Sequence, residues 1–162
     1  MSPSHLPFPP PAPSNGFLVD HAALLRASYR QTSGRDLIDP ALTREAAARA
    51  LFEAPFALLS HSLGSDPILT YANRTALDLF ALSWERMVAM HSRLTAEAPE
   101  RAERERLLAE VRARGFVEGY AGVRVSAAGR RFRIRDGVVW TLTDAQGRQA
   151  GQAATFGIWE FL

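Results

Sequence analysis

The sequence predicts an α+β fold built on an antiparallel sheet, and three observations carry that expectation. Helical and strand periodicities come in blocks: helices, two strands, three helices, then three strands. No internal repeat and no βαβ alternation interrupts that order. The chain has 162 residues, 47% of them hydrophobic, with nine Phe, three Trp and three Tyr, enough to fill the core of one domain.

Residues 1–16 hold six of the ten prolines. Proline removes backbone donors and favours extended chain, so a disordered, Pro-rich tail is expected there. Residues 17–50 read as an N-terminal helical extension. In its first helix Asp20 is a cap, Ala22, Leu25 and Tyr29 form one stripe, and Gly34 is the stop. In its second, Asp39 or Thr43 is the cap and Pro55 the limit. "FALLSHSL" (56–63) is a short apolar strand between Pro55 and Gly64, and Pro67 opens the next.

That second strand runs straight into a helix at Asn73. An asparagine side chain can accept the backbone N–H of Ala76 and so start a helix without a glycine-rich loop. Ala76 and Phe80 then stack one turn apart, with Leu77 and Leu79 widening the face. Ser83 caps a further short helix in "SWERMVAM", and "HSRLTAE" connects onward. Residues 99–115 form a longer helix with Ala102, Leu107, Leu108 and Val111 as its apolar stripe. Its acids and arginines read as a solvated face. "FVEGYAGVRV", "RRFRIRDGVVWTLTD" and "QAGQAATFGIW" are three strands, turning at Gly129 and at "DAQGR", where Gly147 suits a positive φ.

This order resembles a PAS domain, through "YANRTALDLFALSWERM", the connecting helix 99–114 and the long hairpin that ends the chain. Residues 51–162 resemble more closely the MEKHLA domain family, which is PAS-like, in its stand-alone bacterial type. "YANRTALDLF", "SRLTAE", "GRRFRIRDGVVW" and "GQAATF" carry that resemblance. It implies a five-stranded antiparallel sheet with helices on one face and a ligand space between them. The family also ends plant homeodomain–leucine zipper regulators. The namesake peptide, a homeodomain and a zipper are absent from these residues, so transcriptional regulation does not carry over.

In such a fold the corner at Asn73 roofs a pocket. The lining expected is Tyr71, Phe80, Trp84, Met87, Met90, Leu94, Tyr120, Phe132, Ile134, Trp140 and Phe156, suited to an apolar or planar ligand. The alternative is that these side chains pack on one another and leave no cavity. Arg93 offers a fork to a carboxylate or phosphate, or else caps the preceding helix.

Other chemistry is thin. There is no cysteine, which excludes disulfides, thiolate metal sites and thiol-attached chromophores. There is no lysine, which excludes Schiff bases and the P-loop lysine. Ser60, His61 and Asp66 cluster in sequence, but neighbours on a strand point to opposite faces, so Ser60 and His61 form no dyad. His91 is the one haem-ligand candidate, and no histidine and carboxylates have metal-ligand spacing. No catalytic or metal residues are expected, and no cofactor is named.

Arg131, Arg133 and Arg135 project to one side of their strand. They read as a face for an acidic partner or nucleic acid, or as a solvated row paired with residues such as Glu118. The net charge of +2 does not itself imply nucleic acid. No apolar run is long enough to span a bilayer and no secretory leader is recognised, so the expected location is cytoplasmic. The function expected is a sensory, signalling or protein-interaction module, possessing a small-ligand pocket and forming a homodimer through its N-terminal helix or outer sheet face. Binding of an acidic partner or nucleic acid through the arginine row is the alternative.

Overall fold

The computed structural model describes residues 8–162. Of the proline-rich tail, residues 1–7 lie outside that range. Residues 8–16 depart from a flexible tail: Pro13–Asn15 forms a 3-10 turn, and the Phe8 carbonyl accepts the Trp84 indole N–H at 2.9 Å.

Two helices follow. Helix α1 (Val19–Ser33) begins after Leu18 in the left-handed conformation, with no side-chain cap. Asp20 is not the cap; it sits in the first turn, where a carboxylate favours the helix dipole. Gly34 ends the helix in the left-handed conformation. Helix α2 (Arg44–Phe52) is capped by Thr43, whose hydroxyl accepts the Ala46 N–H at 3.2 Å.

The sheet comprises β1 (Ala57–His61), β2 (Leu69–Ala72), β3 (Phe116–Val125), β4 (Arg131–Thr143), β5 (Gln149–Phe156) and β6 (Ile158–Phe161). The strand order is β2-β1-β5-β4-β3, and every pairing is antiparallel. The sixth strand was not expected. The segment read as one last strand breaks at Gly157, and its C-terminal part pairs with the first half of β4, Phe132 against Phe161 and Arg135 against Ile158.

Between β2 and β3 lie α3 (Arg74–Phe80), α4 (Trp84–Met87), a 3-10 turn at Ser92–Thr95, and α5 (Ala98–Arg114). Asn73 does more than cap α3. Its side-chain oxygen accepts from Ala76 N–H at 3.0 Å and from Leu58 N–H at 3.1 Å, and its amide donates to the Leu51 and Phe56 carbonyls at 3.0 and 2.8 Å. One fully buried residue thus ties α2, β1 and α3 together.

Helices cover both faces of the sheet. Trp140 and Val139 are neighbours on β4 and so face opposite ways. Trp140 meets Tyr29 of α1 edge-on, with ring centroids 4.9 Å apart. Val139 packs with Leu107, Leu108 and Val111 of α5. The N-terminal helix is therefore part of the single core, not an extension outside it: Leu25 is fully buried and Tyr29 nearly so. The stripe expected to dimerise is spent within the chain. With both faces covered, β4 from Val139 to Leu142 is buried at every position, as sheets covered on both sides are.

Candidate functional site

A cavity of about 80 Å³ lies between the α5 face of the sheet and the helices that cross it. Its walls include Leu59 and His61 from β1, Phe80 at the end of α3, Leu107 and Leu108 from α5, and Ile134, Val139, Ala154 and Phe156 from the sheet. The lining is predominantly apolar, as expected for a small-molecule site. Among the expected lining residues, Phe80, Tyr120, Ile134 and Phe156 reach this cavity.

The others do not. Tyr71, Trp84, Met87, Phe132 and Trp140 are buried in the main core instead: Tyr71 meets His21 of α1 and Trp84, Trp140 meets Tyr29 of α1, and Phe132 meets Phe80 and Phe161. Tyr71 and Trp140 stand on the opposite face, where α1 covers them: Tyr71 pairs with Ser60 across β1 and β2, and Trp140 with Ala153. Met90 packs against the core half-buried, and Leu94 is 41% exposed. Arg93 faces solvent and binds Asp66 at 3.1 Å, and His91 binds the same carboxylate at 3.2 Å. Neither residue lines the cavity, so His91 loses its standing as a haem ligand and Arg93 as a ligand fork. Among the described residues no group of three His, Asp or Glu could hold a metal ion.

Sequence reasoning missed the polar part of the wall. Arg104, read as part of a solvated face, is 5% exposed and lines the cavity, while Ala102, expected in the stripe, is exposed. The signal was present: 104, 107, 108 and 111 share one helical face at the spacing of buried positions. Arg104 donates to the Ser92 hydroxyl at 2.5 Å, which pins α5 to the 3-10 turn. Its nearest carboxylate, Glu105 at 3.4 Å, is mostly exposed. Burial and then the neighbouring Arg124 charge lower its pKa to about 10.

Arg124 also lines the cavity, is 7% exposed, and donates to the Val123 carbonyl at 2.8 Å. It shares one face of β3 with Tyr120 and Gly122, at period two. Tyr120 lies along its own strand in the gap that glycine leaves. A Cβ at position 122 would stand 2.1 Å from the Tyr120 hydroxyl, and one at 137 would stand 3.2 Å from its ring. The Tyr120 hydroxyl is buried without a hydrogen-bond partner among the described residues. Burial raises its pKa, and the Arg124 charge beside it works against that without a well-formed hydrogen bond to the hydroxyl. The Arg124 guanidinium carbon sits 5.3 Å from the Tyr120 ring centre.

His61 and Ser60 point to opposite faces, as alternation requires. His61 lines the cavity, and its Nε2 is buried without a partner while Nδ1 bonds the Ser62 carbonyl at 2.9 Å. Burial above all, with the Arg104 and Arg112 charges, lowers its pKa to about 4. His61 and Leu108 also line a wider cleft of about 470 Å³ bordered by Ser62, Gly64, Arg112 and Gln149. Ser60 bonds a different histidine: His21 Nε2 of α1 lies 2.9 Å from its hydroxyl, which in turn bonds Thr70 at 2.8 Å. The pair has a dyad's spacing, but Ser60 is 1% exposed, and burial lowers the His21 pKa to about 4. It serves to dock α1 on the sheet.

The arginine row is paired with carboxylates on the surface. Arg131 pairs with Glu97 at 2.6 Å, and Arg133 and Arg135 share Glu160. Glu118, the partner expected, pairs with Arg35 instead. The hydrogen bond from Arg135 holds the Glu160 carboxyl below its usual range.

Comparison with known proteins agrees with this architecture. The sequence profile of the MEKHLA domain matches residues 19–161. Two rice proteins named homeobox-leucine zipper protein HOX29, from Oryza sativa subsp. indica and japonica, are each 29% identical over 83% and 74% of the chain. The chain spans only 16% and 14% of their lengths. A PAS domain from Colwellia psychrerythraea superposes with a TM-score of 0.55 at 15% identity, covering 71% of this chain and 92% of that one. A light-oxygen-voltage domain studied with a flavin analogue gives 0.56 at 14% identity, over 71% and 83%. The blue-light activated histidine kinase EL346 of Erythrobacter litoralis gives 0.54 at 21% identity, over 67% and 34%. At these identities the structural likeness establishes the fold alone.

Proposed function

We propose, for a chain that belongs to the MEKHLA domain family and has a PAS-like fold, a sensory or protein-interaction role governed by a small ligand in the cavity. The observation that carries this reading is the mismatch within the cavity wall. An apolar chamber is lined by two arginines with buried guanidiniums and by Tyr120 and His61, whose buried Oη and Nε2 find no partner among the described residues. Buried polar groups are ordinarily satisfied, and an unmatched set facing one space suits an incoming molecule.

The cavity touches Ser92 and Thr95 of the 3-10 turn, Arg104 of α5 and the sheet together. An occupant would therefore bias how α5 sits on the sheet, which is the element such a module would move to change its contacts. The partner proposed is a second copy of the chain. No catalytic role enters this reading.

Flavin does not fit the site. An adduct-forming flavin needs a cysteine, and the chain has none. A cavity of about 80 Å³ is also smaller than the roughly 150 Å³ of an engineered cavity that takes benzene, so a three-ring cofactor is excluded.

Native mass spectrometry of the purified chain, with identification of whatever is released, tests the reading. A stoichiometric small molecule lost on Ile134→Trp, which fills the cavity, is the expected result. A bound molecule that survives this substitution contradicts it.

A further inference from the structure

We infer that the cavity takes a short-chain monocarboxylate, such as acetate or butyrate, with its carboxylate on Arg104 and Arg124 and its alkyl group against Leu59, Ile134 and Val139. This inference rests on the proposal that the cavity holds a ligand, and assigns that ligand a chemical class.

The argument begins with charge. Arg104 and Arg124 are both more than nine-tenths buried and both line one cavity. A buried cation is costly unless paired, and two in one wall are costlier. The chain compensates them poorly. Arg104 has a serine hydroxyl and the solvent-facing Glu105, and Arg124 has the Val123 carbonyl. An anion between them supplies the missing countercharge, and guanidinium forks match a carboxylate's two oxygens. The Tyr120 hydroxyl, buried and unpartnered, adds a neutral donor on the same wall.

The rest of the wall narrows the class. A phosphate or dicarboxylate would bring further charged oxygens against Leu59, Leu107, Ile134 and Val139, where nothing pairs them. A neutral alcohol or amide would leave both guanidiniums uncompensated. The small volume excludes long acyl chains and fused rings. A single carboxylate on a short alkyl stem meets all three constraints.

Isothermal titration calorimetry of the full chain at neutral pH is the test. The probes are acetate, butyrate, butyramide and butanol, at ionic strength held constant with chloride. Saturable butyrate binding at least about tenfold tighter than butyramide is expected, the scale of a charge-assisted bond gained. Arg104→Gln and Arg124→Gln should each weaken butyrate by about tenfold or more, a loss of about 1.4 kcal/mol. Arg124→Lys, which keeps the charge and loses the fork, should weaken it less, and it covers the case in which a Gln variant fails to fold. Arg133→Gln, on the surface row, should change nothing. Butyrate binding that Arg133→Gln weakens, or that the cavity variants spare, overturns the inference. Butyramide binding as tightly as butyrate overturns the carboxylate class and leaves a ligand cavity standing. No binding by any probe, together with no molecule released in native mass spectrometry, overturns both readings.

Discussion

The side-chain oxygen of Asn73 accepts the backbone N–H of Leu58 at 3.1 Å, so the residue that starts α3 also fixes where β1 runs beneath it. Asn73→Ala removes a cap and leaves the Leu58 and Ala76 N–H groups and the Phe56 carbonyl short of a partner, while the Leu51 carbonyl keeps the Ala54 N–H at 3.4 Å. A cap alone is worth roughly 0.5–2 kcal/mol, and each buried orphan adds about 1–3 kcal/mol. The expected loss is therefore about 3 kcal/mol or more, measured by urea unfolding. A loss within the range of a simple cap would contradict the bridging role.

Removing residues 1–37 should cost the fold rather than an assembly. The deletion strips α1 from Tyr71 and Trp140 and breaks the His21–Ser60 bond. Large apolar side chains would then face water at roughly 1.5–3 kcal/mol each. The truncated chain should lose cooperative thermal unfolding. A sharp transition retained in the truncated chain would show that α1 is dispensable.

Acid should destabilise the protein through its histidines. His21 and His61 have pKa values lowered from 6.5 to about 4, so the unfolded chain binds more protons between those limits. Stability is then full above pH 6.5 and falls as pH drops toward 4. At about 1.4 kcal/mol per unit, trimmed because both residues are half-buried rather than fully enclosed, each contributes roughly 1–3 kcal/mol. His21→Gln should flatten the slope of stability between pH 6.5 and 4. An unchanged slope would contradict the burial of a neutral imidazole.

The arginine row should not bind nucleic acid. Glu97 and Glu160 already pair with all three guanidiniums, so phosphates would have to displace existing pairs. No saturable binding of duplex or single-stranded DNA is expected at about 0.15 M salt, where the Debye length is near 8 Å. Salt-steep binding abolished by changing Arg131, Arg133 and Arg135 to Gln would contradict this.

What the sequence revealed was local. The corner at Asn73, the Thr43 and Ser83 caps and the Gly34 stop depend on residues within one turn of each other, and all stand where their types require. The placement of α1 was not legible, because Tyr29 on Trp140 is a contact across more than a hundred positions, and no periodicity reports it. The break at Gly157 was missed for a similar reason: "IWEF" continues the strand pattern, and only pairing with Phe132–Arg135 makes it a separate strand. In the cavity, apolar residues were anticipated more widely than they occur, since aromatic content does not say which face a side chain takes. The buried arginines were passed over because charge was read as exposure. Their positions on the helical and strand faces, beside Leu107 and Gly122, carried the contrary signal.

The space beside Tyr120 depends on Gly122. Gly122→Ala would place a methyl carbon where the Tyr120 hydroxyl lies, so the ring must move into the cavity or out of it. The expected result is a folded protein with altered tyrosine absorbance and weakened ligand binding. Unchanged spectra and binding would show that Tyr120 is not held as described.

The proposed role makes the chamber on the α5 face the place where a small molecule would act on this protein. Methyl-resolved NMR of the full chain during titration with butyrate measures this most directly. Shifts confined to Leu59, Leu107, Ile134 and Val139, saturating together and absent in Arg104→Gln, are the predicted result. Saturating shifts elsewhere, with the methyl groups of these four residues silent, would contradict it.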